Sequence, residues 1–124
     1  MRALAKALHI ALGLALLGGA AQAQGFDTLP EDQQIGYCAG FYLAEGAHLG
    51  ADQPLAAGFV ALAARTSGQA EADVAAKLEG TTPMLVPFFQ TYDSNPSAQA
   101  MIDQSRAFCE GLAAGYDETA GLLP

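Results

Sequence analysis

The sequence predicts an all-α fold, a small helical bundle of four or five short helices in which the first and last helices are joined by a disulfide. Three observations carry this expectation. Valine and isoleucine are scarce beside alanine, and no stretch alternates apolar with polar residues over the length of a strand. Apolar residues recur instead every three or four positions, between prolines and glycines placed where helices start and stop. Cys38 and Cys109, the two cysteines of the chain, fall in the apolar seams of the first and last such segments.

Residues 1–23 read as a cleaved secretory signal peptide. Arg2 and Lys6 form its positive end, residues 7–17 its apolar run, and Ala21-Gln22-Ala23 a small-x-small cleavage site. The run is shorter than the ~20 residues that span a bilayer, and no cysteine stands at the cleavage point to carry a lipid. The mature chain is expected to begin at Gln24, to form a single helical domain over 24–124, and to be periplasmic or secreted, with no membrane contact after signal removal.

Taken in order, Thr28-Leu-Pro-Glu31 fits a capping box that opens the first helix, which Gly50 ends. Ile35, Cys38, Tyr42 and Leu49 share one side of it, Phe41 and Leu43 widen the apolar arc, and Gly36-x-x-x-Gly40 is expected to admit a close neighbour. Asp52 followed by Pro54 opens an alanine-rich helix with a narrow seam of Leu55, Phe59, Leu62 and Thr66, broken at Ser67-Gly68. A weaker helix follows over residues 69–79, anchored by Val74 and Leu78. Thr82-Pro83 starts the next, and Pro87 predicts either a later start or a kink there. Asp93-Ser-Asn-Pro96 is a turn, an N-cap and a first-turn proline in succession. The last helix carries Ala98, Ile102, Ser105, Cys109, Leu112 and Tyr116 at alternating four- and three-residue spacing, and Gly115 or Gly121 ends it before a loose Leu122-Leu123-Pro124 tail.

Two cysteines in an exported chain imply one bridge, because that route is oxidising. Neither belongs to a Cys-x-x-Cys pair, so redox catalysis and covalent haem attachment lack their motif. Two of the five basic residues lie in the signal segment and all thirteen acids lie after it, leaving Arg65, Lys77 and Arg106 against thirteen carboxylates. That balance opposes nucleic-acid binding and docking on anionic lipid; it is compatible with a cationic partner, although keeping an exported protein soluble accounts for it more simply.

Chemistry finds little support. Glu45 and His48, at i and i+3, share a helix face and are the one weak metal candidate, but a dinuclear bundle site needs a second such pair and further glutamates, and His48 is the only histidine after the signal. No cofactor is implied. The imidazole has no nucleophile beside it once the cysteines are bridged, and Glu31-Asp32 and Asp117-Glu118 stand at helix ends, so an enzyme is not expected. Two functional readings remain. One is a protein-binding module of the inhibitor, immunity or stress-protein type, meeting a basic exported protein through its acidic surface. The other is a carrier of a small apolar ligand held between helices. Phe41, Tyr42, Phe88, Phe89 and Tyr92 are the candidate ligand or partner surface in both; the competing reading of these rings is ordinary core plus one exposed ring.

Overall fold

The computed structural model describes residues 25–124, and the expected signal segment, with its cleavage point, lies outside the described residues. A four-residue helical turn at 25–28 leads into six helices: α1 (Glu31–Leu49), α2 (Pro54–Ser67), α3 (Glu71–Glu79), α4 (Thr82–Gln90), α5 (Pro96–Ala113) and α6 (Asp117–Ala120). Among the described residues there is no strand, and no helix is long and apolar enough to cross a membrane. The all-helical expectation holds, but the helices outnumber the four or five predicted.

Local sequence explains most boundaries. Gly50 and Gly68 close α1 and α2 in the left-handed conformation, with φ of 70° and 75°, where a Cβ would be strained. Asn95 caps α5, its Oδ1 accepting from the amides of Ser97 (2.9 Å) and Ala98 (3.3 Å), with Pro96 in the first turn. Elsewhere the chain departs from expectation. The Thr28 hydroxyl donates to the Gly25 carbonyl at 2.9 Å, so Pro30, and no capping box, precedes α1. Helix α4 runs through Pro87, neither starting nor stopping there, although the proline has no amide to give the Pro83 carbonyl. Burial of Phe89, the next-to-last residue of α4, holds the helix against α1 and offsets that loss.

The C-terminal segment differs most. Helix α5 stops at Ala113, short of both glycines proposed to end it, and Tyr116 becomes the N-cap of α6. The cause is Thr119, fully buried, whose hydroxyl donates to the Ala113 carbonyl at 2.7 Å and satisfies an acceptor that the helix end leaves free. The tail is not loose. Leu123 packs on the core, and a Cβ built on Gly58 of α2 would stand 2.7 Å from Leu122 Cδ1 and 2.8 Å from the Glu118 carbonyl. Of the Gly36-x-x-x-Gly40 pair expected to admit a neighbour, Gly40 does so, a Cβ built there standing 3.4 Å from Thr81 Oγ1, while one on Gly36 would meet nothing within 4 Å; the tightest approach is at Gly58.

Helix α1 is the centre of the bundle, packing against α2, α3, α4 and α5; α2 also meets α3 and α6, and α5 meets α4 and α6. Its buried face presents Ile35, Cys38, Phe41 and Tyr42, to which α2 brings Phe59 and Leu62 and α5 brings Ile102 and Cys109. Cys38 and Cys109 are bonded, with Cα atoms 5.5 Å apart, and both are fully buried. The bridge joins α1 to α5, the two longest helices, and α6 follows α5, so the first and last helices are not the pair it ties.

Candidate functional site

The weak metal pair is taken up in other contacts. Glu45 meets Arg106 of α5 through two bonds, Nη1 to Oε1 at 3.2 Å and Nη2 to Oε2 at 2.6 Å. The guanidinium also lies over the Phe41 ring, 5.6 Å from its centroid. That bidentate bond holds the Arg106 pKa above its usual value, partly opposed by burial. His48 points its ring at Phe89 instead, with centroids 6.1 Å apart and planes nearly parallel. Among the described residues no three His, Cys, Asp or Glu side chains are grouped to hold a metal ion.

The five rings proposed as a surface separate into core and exterior. Phe41 and Tyr42 of α1 and Phe89 of α4 are buried together, Phe41 touching the other two at centroid distances of 5.0 and 5.2 Å. Tyr42 also stacks on Phe59, with centroids 6.0 Å apart. Its hydroxyl is buried without a hydrogen-bond partner among the described residues, and burial, reinforced by Glu110, pushes its pKa up to about 12. Tyr92 is half-buried and donates to Asp103 Oδ1 at 2.6 Å. Phe88 alone of the five is exposed, so the rings do not form one surface. Tyr37, partly buried, packs against that core, sharing a 2.7 Å hydrogen bond with Ser105 and lying beside the Phe26 ring, while desolvation raises its pKa.

Phe88 is not isolated. Met84, one turn before it, is 73% exposed against 38% for Phe88, and Pro83 and Pro87 beside them are exposed too. These four positions form one stripe along α4, a helix without a single charged residue. Met84 was missed at the sequence level, although its position four residues before Phe88 in an uncharged segment carried the signal.

Charge is distributed in the opposite way. Arg65 pairs with Glu118 and Arg106 with Glu45, while Lys77 Nζ donates to Gln69 Oε1 at 3.3 Å. The hydrogen bond from Arg65 holds the Glu118 pKa below the usual carboxylate range. Two of the thirteen acids are thus neutralised, and eleven have no ion-pair partner among the described residues. Glu79 and Asp93 stand three residues before and three residues after α4 in the chain.

A hollow of about 1140 Å³ opens between α1, α2 and α3. Its floor is made of small side chains, including Gly46 and Ala47 of α1, Ala56 and Ala57 of α2, and Ala72 and Ala75 of α3. Comparison with protein-family models, with curated proteins and with solved structures finds no match to this chain. Function must therefore be argued from these surfaces alone.

Proposed function

We propose that this protein is an exported, acidic protein-binding module, of the inhibitor, immunity or stress-protein type, whose partner is a basic exported protein. The observation that carries the reading is the exposed Met84 and Phe88 stripe on an uncharged helix, in a chain where eleven carboxylates form no ion pair among the described residues. An apolar centre inside a charged rim is the usual anatomy of a protein interface, and exposed methionine and phenylalanine are enriched in such centres. The buried disulfide supports an oxidising compartment. No catalytic role is proposed, since the hydroxyl, imidazole and carboxylate groups described above are engaged in structural contacts or stand apart.

The carrier reading is less well supported, because a small apolar ligand needs a site that covers most of its surface, and the hollow between α1, α2 and α3 is open to solvent. The test is a pull-down from the exported fraction with the oxidised protein and with the Met84→Glu/Phe88→Glu variant, followed by mass spectrometry of proteins and small molecules. A basic protein retained by the first and lost by the second is the expected result. Equal retention by both, or recovery of a small apolar compound in place of a protein, overturns it.

A further inference from the structure

The open hollow is not part of the α4 stripe. We infer that it is a docking groove for a basic amphipathic helix of a partner protein, one whose small and apolar seam is flanked by lysine or arginine. This inference rests on the protein-binding reading and locates a contact within it.

Shape comes first. Helix α3 reaches the core through Val74, its one buried residue, and faces α1 and α2 across alanines. Glycines and alanines make up much of the lining between the three helices, beside Tyr42, Leu43 and Val60, and leave a trough of about 1140 Å³. One helical turn, a cylinder about 10 Å across and 5.4 Å high, occupies roughly 400 Å³, so the trough accepts two to three turns. Small residues on the walls let a helix backbone come near, as they do wherever helices pack closely. A helix also suits an apolar floor because it satisfies its own backbone hydrogen bonds.

Charge then selects the occupant. Every ionisable group lining the trough except the Tyr42 phenol is a carboxylate: Asp52, Glu71 and Glu79. None of the three forms an ion pair among the described residues, and Arg65, Lys77 and Arg106 do not line it. An apolar floor bordered on several sides by unpaired negative charge matches an apolar seam flanked by positive charge. Openness excludes a small amphiphile as the better fit, since only a partner brings its own body to cover the exposed side.

The test uses the oxidised protein and a fluorescent 18-residue peptide with an alanine and leucine seam flanked by lysines, read by anisotropy. Binding is expected to weaken at least tenfold in Ala47→Trp/Ala72→Trp, which fills the trough from two exposed positions and leaves the core alone; a thermal melt checks that the variant folds. Glu71→Gln/Glu79→Gln is expected to lower affinity and flatten its dependence on salt, and the same peptide with glutamate in place of lysine is expected not to bind. Failure of the lysine peptide to bind overturns the groove, as does equal binding to the tryptophan variant. Binding lost only in Met84→Glu/Phe88→Glu also overturns the groove while leaving the protein-binding reading standing. Dodecylammonium that binds and is blocked by the tryptophans, when the peptide is not, overturns it in favour of a small amphiphile.

Discussion

The α1 and α5 side of the molecule and the α3 and α4 side are built on different principles. The first is cross-linked in several ways: the Cys38 and Cys109 bond, the Arg106 and Glu45 pair over Phe41, and the Tyr37 and Ser105 hydrogen bond all tie α1 to α5. The second has no disulfide or ion pair among the described residues: α3 and α4 bury Val74 and Phe89, with Ala75, Leu78, Leu85 and Val86 packed part-buried beside them. Without such cross-links, opening free energy is expected to be lower there than around the bridge. The apolar stripe lies on α4, whereas the open trough is walled by α3 together with α1 and α2. The cross-linked α1 and α5 face and the exposed apolar stripe of α4 thus stand apart within about a hundred residues.

The largest effect should come from the bridge. Replacing both cysteines by alanine is expected to cost about 2–5 kcal/mol in urea unfolding, since the bond closes a loop spanning 71 residues. An unchanged denaturation midpoint would show that the ionic and aromatic links alone hold α1 to α5. Next comes Gly58→Ala, in which the new Cβ meets the Glu118 carbonyl as well as Leu122. A backbone atom cannot step aside as a side-chain end can, so a loss of about 1–3 kcal/mol is expected, with exposure of the Leu122 region to limited proteolysis.

Tyr42→Phe should act in the opposite direction, since it removes a buried hydroxyl that has no partner. A gain of about 1 kcal/mol is expected at neutral pH. The same hydroxyl ties stability to alkali: an unfolded tyrosine ionises near 10.0 and the folded one at about 12, so stability present below 10.0 is lost as pH rises through that interval. The variant should lose part of this slope, read from melting temperature against pH. The smallest global effect belongs to Val74→Ala. Its cost, about 1–2 kcal/mol, should appear as faster amide exchange within 71–79 while protection around Cys38 is unchanged. A matching loss of protection in α1 would show that the two sides unfold together.

What the sequence revealed and what it hid divide along the range of the interactions. Helix class and most boundaries were readable because Gly50, Pro54, Gly68 and the Asn95-Pro96 pair act on their own backbone or the next turn. The cysteine pairing was readable because two thiols leave one partner each. Contacts between distant residues were not. Nothing near Glu45 announces Arg106, which lies 61 residues away, and nothing near Ala113 announces that Thr119 folds back to end α5. The rings show the same limit: Phe88, Phe89 and Tyr92 look like more than one stripe can bury, and the structure divides them as core plus one exposed ring, with Phe89 buried against Phe41, Tyr92 half-buried and Phe88 outside. A lone glycine in the alanine-rich α2 was the visible trace of the approach at Gly58, but it did not say which segment would arrive there.

The bridge also makes a covalent ring of the chain between Cys38 and Cys109, with α2, α3 and α4 inside it. A protease that cuts once within that ring, at the turn after Gly50, at Gly80 or at Ser94, opens the loop but releases no fragment, because the two pieces stay joined through sulfur. In the exported setting proposed above, where proteases are common, the exposed turns nearest the proposed binding surfaces are therefore the ones whose cleavage leaves the molecule in one piece. A nicked form would run as two bands on a reducing gel and as one on a non-reducing gel.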